Sequence, residues 1–296
     1  MEVKVIHVEA STFCNSRCPL CPRNLYGYNI SGVYPEVNLS PKTFEKILIL
    51  FPKRNYVYFN GNLGDPMMNP AIESLVGLTL CPTSITTNGS IGKKETWVEL
   101  ARKKIQVIFS IDGLQDTNHL YRQDVQWLKI MERADWFISA GGEATWKFIV
   151  FRHNQHQMEE ARNMSLRLGF KKFQVENHGR NYGPALDSNG KITHWILPHD
   201  SDLEPRTYDV AAGIERYKID HWNFGNFVEK SYEIKCEHEK NKMIFVNAQG
   251  KIAPCCYQGF EMPNKNIVEL DQFEVLKKTW STNKGCNKIC ATSCGK

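Results

Sequence analysis

No apolar run in these 296 residues approaches the roughly 20 that a membrane-spanning helix needs. The opening Met1-Glu-Val-Lys-Val-Ile-His-Val lacks the basic, apolar and small-residue blocks of a secretory signal. No low-complexity tract interrupts the chain. Charge of either sign is in short excess: 37 Lys and Arg against 32 Asp and Glu leave +5, too little for the basic stripe of a dedicated nucleic-acid binder. These absences predict a cytoplasmic globular protein without a membrane partner and argue against nucleic acid as one. In that compartment ten cysteines are expected to be reduced thiols that serve metals; the disulfide-rich secreted alternative lacks its signal.

A fourth ligand is also missing where one would be looked for. Cys14-Asn-Ser-Arg-Cys18-Pro-Leu-Cys21 puts three thiols on one tight loop. A four-iron cube normally takes four cysteines, and a zinc knuckle also wants four ligands. The nearest histidine, His7, lies in the preceding strand pattern. Three ligands leave one iron open, and an open position marks a catalytic site. Six further cysteines lie between Cys236 and Cys294, and Cys81 stands alone as a small hydrophobe. Two metal loci, one near each end, are the economical reading.

What the chain has in quantity is alternation. Strands are predicted at Val3–Ala10, Tyr56–Asn60, Thr83–Thr87, Gln106–Ser110, Thr145–Phe151 and Lys171–Asn177. Helices are predicted over Thr43–Leu50 behind Ser40-Pro41, then over Ala71–Leu78, Lys94–Lys103 and Gln157–Leu168. Such units give right-handed crossovers and a parallel sheet. Six are too few for a closed eight-fold barrel, so the fold class is α/β with a partial (βα)6 TIM-like barrel. Functional residues then belong at the C-terminal ends of the strands. We divide the chain into a barrel at 1–180, a substrate-facing connector at 181–235 with a short helix near Val210–Tyr217, and a small unit at 236–296. In that unit a hairpin about Ala-Gln-Gly precedes a helix over Val268–Trp280.

The cysteine loop resembles the cluster motif of the radical S-adenosylmethionine superfamily, and the motifs that follow keep that family's order. Leu63-Gly64-Asp65-Pro66 stands where Gly-Gly-Glu-Pro is usual. Thr87-Asn88 and Ser110-Ile-Asp112 end the third and fourth strands, and Tyr121-Arg122 follows. The resemblance implies a [4Fe–4S] cluster on Cys14, Cys18 and Cys21 whose open iron is chelated by S-adenosylmethionine. It also implies cofactor contacts at Leu20, Gly64, Asp65, Pro66, Thr87, Asn88, Ser110, Asp112 and Arg122. Leu20 replaces a usual aromatic near the adenine, and Asp65 is shorter than the usual Glu. Each segment taken alone is also ordinary turn chemistry.

The C-terminal cysteines resemble the single-cluster twitch form of the SPASM extension. This implies one auxiliary [4Fe–4S] cluster on Cys236, Cys255, Cys290 and Cys294, with Cys256 and Cys286 as competitors and a structural zinc site as the alternative. The family's chemistry is reductive cleavage of the cofactor to a 5′-deoxyadenosyl radical, fed by a reductant such as flavodoxin or ferredoxin. The radical abstracts hydrogen from a small-molecule or peptide substrate. An auxiliary cluster points to oxidation or dehydrogenation; peptide crosslinking or epimerisation is the runner-up. The chain starts 13 residues before Cys14, which argues against a built-in leader-recognition domain. An RNA-modifying radical enzyme is disfavoured by the mild charge. A non-enzymatic iron–sulfur or zinc protein would need none of the ordered motifs. Glu176, His178, Arg180 and Tyr182 are substrate-facing candidates near the sixth strand end, with no general base assigned.

Overall fold

The computed structural model describes residues 2–32, 34–176, 182–200, 202–219 and 237–256. Its framework is six parallel strands in chain order: β1 (Val5–Val8), β2 (Tyr56–Asn60), β3 (Thr83–Thr87), β4 (Gln106–Ser110), β5 (Ala144–Ile149) and β6 (Lys172–Glu176). Each pairs with the next in register. Because the order never reverses, the sheet curls one way and gathers its C-terminal strand ends on one rim, as in a partial barrel.

Side chains alternate across this sheet. One set, including Ile6, Val8, Val57, Phe59, Ile85, Val107, Phe109, Trp146 and Phe148, is buried in the main core. This set packs on the crossover helices α1 (Pro41–Leu50), α2 (Ile72–Gly77), α3 (Lys94–Arg102), α5 (Trp127–Ser139) and α6 (Met158–Arg167), while Tyr121 of the short helix α4 (Asn118–Tyr121) joins a separate cluster with Cys18. The other set, with His7, Tyr58, Asn60, Thr86, Ser110, Lys147 and Glu176, lines the opposite, inner face. Helix α1 starts as the sequence predicts: the Ser40 hydroxyl accepts from the Thr43 N–H (3.1 Å) ahead of Pro41. The predicted pattern names no helix between the fourth and fifth strands, where α4 and α5 lie. Gln126, at the N-cap of α5, makes no capping hydrogen bond, so the usual start signal is missing.

Two further features were not predicted. The connector holds an antiparallel hairpin, β7 (Gly183–Leu186) and β8 (Ile192–Ile196), before helix α7 (Val210–Ile219). After the short helix α8 (Glu237–Lys240), strands β9 (Met243–Val246) and β10 (Ile252–Ala253) form the hairpin predicted about Ala-Gln-Gly, and the unpredicted feature is that β9 adds to the barrel sheet in parallel beside β1. Ile244, Val246 and Ile252 therefore share the barrel's own core. The predicted helix at 268–280 lies outside the described residues. So do His178, Arg180, Cys236, Cys286, Cys290 and Cys294, and the 180/181 division of the chain.

Phe109 is fully buried, stacks on Trp97 (5.3 Å between ring centres) and meets Phe137 and Phe170. Phe109→Ala should cost about 3–5 kcal/mol. Denaturant titration followed by tryptophan fluorescence should show the midpoint fall.

Candidate active site

The loop that leaves β1 carries Cys14, Cys18 and Cys21, and it is tied down on every side. Arg17 forms an ion pair with Asp124 and donates to the Gly27 carbonyl (2.8 Å). The Asn15 amide donates to Ser90 Oγ and accepts from Asn88 Nδ2, both at 2.8 Å, which fastens the loop to the end of β3. Inside the loop the Ser16 N–H points at Cys14 Sγ (3.4 Å), and Ser16 Oγ lies 3.1 Å from Cys18 Sγ. Burial pushes the Cys14 thiol well above its ordinary value, with Asp65, Cys18 and Cys21 adding to the effect. Among the described residues, no three His, Cys, Asp or Glu side chains converge as ligands of a single ion would.

The loop after β2 packs directly beneath. A Cβ at Gly64 would collide with the Ser11 and Phe13 carbonyl oxygens, so only glycine permits this approach. Glu9, just beyond β1, is buried and takes the N–H groups of Asn62, Leu63 and Gly64 at 2.9–3.3 Å. With these donors spent on Glu9, the Asn62 carbonyl faces Cys21 Sγ at 4.0 Å. Sequence reasoning missed Glu9, since a lone acid after the Val-Ile-His-Val strand carries no distinct signal.

Asp65 is buried and fully engaged. Its oxygens accept from the Met67 N–H (3.0 Å), the Thr87 hydroxyl (2.8 Å) and the Asn88 N–H (2.7 Å). Burial raises its pKa in spite of these donors. The side chains of Asp65 and Thr87 thus satisfy each other, and Pro66 opens a single 3-10 turn behind them. Ser110 is buried at the end of β4. Asp112 is fully buried, with Oδ2 on Arg122 Nε (2.7 Å) and Oδ1 on the Ile149 N–H (2.6 Å). Arg122 Nη1 lies 3.6 Å from Cys18 Sγ. Burial works against the Arg122 charge, but Asp112, with Cys18 and Tyr121 adding to it, holds the guanidinium protonated. Leu20 and Cys21 pack against a cluster of Cys18, Tyr121, Ile149, Phe151, Ala185 and Ile196.

Glu176 forms an ion pair with Lys147 across β5 and β6. The pair lies on the inner face, with Lys147 one inward-facing step below Ile149 and in register with Ser110. Tyr182 packs instead with Trp195 (6.2 Å) beneath Arg206. Helix α7 reaches the cysteine loop through Tyr217, whose hydroxyl donates to the Pro22 carbonyl (2.8 Å). On the β1 edge, Cys255 is buried and Cys256 packs near Leu63, Phe245 and Ala253. Tyr58 lies by both cysteines, stacked on His7 at 4.3 Å.

Solved structures bound to S-adenosylmethionine share this fold. Streptococcus suis SuiB bound to S-adenosylmethionine is 18% identical over 94% of this chain and 66% of its own, with a TM-score of 0.62. The chain thus spans just under two thirds of SuiB's length. Native anSMEcpe with bound AdoMet is 18% identical over 98% of this chain and 83% of its own, with a TM-score of 0.60. Neither a protein-family model nor a curated protein matches the sequence, so the likeness is one of fold. No helix among the described residues is long and apolar enough to cross a membrane.

Burial pushes the Glu9 carboxyl up to about 8, against the backbone donors that favour its ionised form. An acid raised above its ordinary 4.5 lends full stability below that pH and loses it as pH climbs towards the folded value. Glu9→Gln should therefore flatten the decline of unfolding free energy between about pH 5 and 7.5 by up to about 1.4 kcal/mol per pH unit. Urea titrations across that range check it.

Proposed function

We propose that this chain is a radical S-adenosylmethionine enzyme that holds a [4Fe–4S] cluster on Cys14, Cys18 and Cys21. The observation that carries this reading is the cysteine loop itself: three thiols with no fourth ligand beside them among the described residues, fixed to the ends of β2 and β3 and to Arg122 after α4. The donor set fits the group, since soft thiolates suit iron–sulfur clusters and three of them leave one iron open. When bound, the cluster and S-adenosylmethionine supply a 5′-deoxyadenosyl radical that abstracts hydrogen from substrate.

The protein's own part is to hold and to shield. Gly64 allows the β2 loop to approach the cysteines closely, and the Asn62 carbonyl faces them. Tyr217 and the β7–β8 hairpin close over the loop, with the Leu186 N–H donating to the Tyr26 carbonyl (2.7 Å), and so restrict water. Lys147 and Glu176 offer a donor and an acceptor to a polar substrate group within the barrel.

A peptide substrate is favoured because neighbouring structures are bound to peptides: SuiB to its precursor peptide SuiA and anSMEcpe to Kp18Cys. Dehydrogenation is the outcome we assign, with crosslinking or epimerisation as the second reading. An auxiliary [4Fe–4S] cluster would draw on Cys236, Cys255, Cys290 and Cys294, with Cys256 and Cys286 as the competing ligands. Flavodoxin or ferredoxin would supply the electron.

Anaerobic reconstitution should give about four irons per chain for each cube, hence about eight with an auxiliary cluster. Dithionite and S-adenosylmethionine should then yield 5′-deoxyadenosine, and Cys18→Ser should reduce it to background. Iron-loaded wild-type protein that forms none would refute the proposal, and zinc in place of iron would favour the scaffold reading.

A further inference from the structure

We infer that Arg122 is a positioning residue that raises the reduction potential of a cluster on Cys18, with Asp112 as its counterweight. The inference rests on the cluster reading above.

Arg122 follows the last turn of α4, and its guanidinium has two partners near the cysteine loop. Nε is bound to Asp112 Oδ2 at 2.7 Å, and Nη1 lies 3.6 Å from Cys18 Sγ. Asp112 is not free to release it. Its second oxygen accepts from the Ile149 N–H (2.6 Å), its own N–H donates to Asn118 Oδ1 (2.9 Å), and its carbonyl accepts from Asn154 Nδ2 (2.8 Å). The carboxylate is wholly buried and the Arg122 side chain is 15% exposed, so water screens the pair little.

Among the described residues, the other hydrogen-bond partner of Cys18 Sγ is Ser16 Oγ, at 3.1 Å. A hydroxyl has one proton to give. The Gln123 carbonyl, 3.0 Å away, can only accept, so Ser16 donates there and the Cys18 thiol donates to Ser16. Once Cys18 gives up its proton to bind iron, Ser16 has no second proton for the sulfur. Arg122 is then the donor already in place.

Reduction adds one electron to an anionic, thiolate-ligated centre. A fixed cation beside one of its sulfurs favours that added charge, as hydrogen bonds to cluster sulfurs do in general. Asp112 offsets part of the effect. Substitutions at the two positions should therefore shift the potential in opposite directions, which a loss of local structure would not do.

The test is an EPR-monitored redox titration of the anaerobically reconstituted full chain, with dithionite as reductant and no S-adenosylmethionine added. At a fixed potential, Arg122→Gln should lower the reduced-to-oxidised ratio about tenfold, which is about 59 mV for one electron. Arg122→Lys, which keeps the charge, should stay closer to wild type than Arg122→Gln. Asp112→Asn should raise the ratio. A change below about twofold in Arg122→Gln, or shifts of the same sign at both positions, overturns the inference. If Arg122→Gln loads no iron, Asp112→Asn decides alone: a rise supports the inference, and no change or a fall overturns it. A wild-type chain that forms no reducible cluster removes the functional reading and this inference with it. A normal wild-type signal with unmoved variants removes only the inference.

Discussion

A carboxyl group can be buried only where neighbouring donors satisfy its oxygens, and the rim of this barrel is assembled around three that meet that condition. Glu9, beyond β1, gathers the N–H groups of the loop after β2. Asp65, on that loop, takes the Thr87 hydroxyl and the Asn88 N–H at the end of β3. Asp112, beyond β4, takes the Ile149 N–H at the end of β5 and the Arg122 guanidinium. Each carboxylate reaches to a neighbouring strand end, so the rim is stitched along the sheet by groups that cannot move without leaving a buried polar atom unmet. The cysteine loop is then fastened to this rim through Asn88 and Arg122.

The stitching bears on function because chemistry at such a rim depends on pre-set geometry. The three thiols sit on a loop, ordinarily the least ordered kind of segment. Here the loop borrows its order from strands on both sides, from the Arg17–Asp124 ion pair and from the Tyr217 hydroxyl above Pro22.

Much of this was legible in the sequence, for reasons that are local. Strand–helix alternation, the cysteine spacing and the small residue at Gly64 are each written in a few adjacent letters. The order β1 to β6 follows from them once handed crossovers are assumed. Pairing across distance was not legible. Nothing near Met243 says that β9 will lie against β1, because the match depends on residues some 240 positions away. Helix α5 was lost for want of a capping residue, and Glu9 because one acid at a strand end looks like any surface acid. Asp65 and Thr87 were read as cofactor contacts from their place in a motif. In the structure their side chains face each other, and that stitches the rim whatever else the segment does.

The division of labour between the two faces of the sheet completes the picture. Stability is concentrated on the outer face, where Phe109 and Trp146 of the strands are fully buried with Trp97 of α3 and Phe137 of α5. The inner face is therefore released from that duty and can carry Asn60, Thr86, Ser110 and the Lys147–Glu176 pair. Ion pairs of this half-buried kind add little to stability, because desolvation offsets the attraction. A pair placed there, one step below Ile149 of the cluster that holds Cys18, is better understood through what it can hold than through what it contributes to folding. The charges nearest the thiols follow the same logic in reverse: Arg122 is held by a buried carboxylate on one side and presents its remaining edge to sulfur. A barrel that packs its core outside its sheet can thus place charge inside it, and the strand ends decide where that charge points.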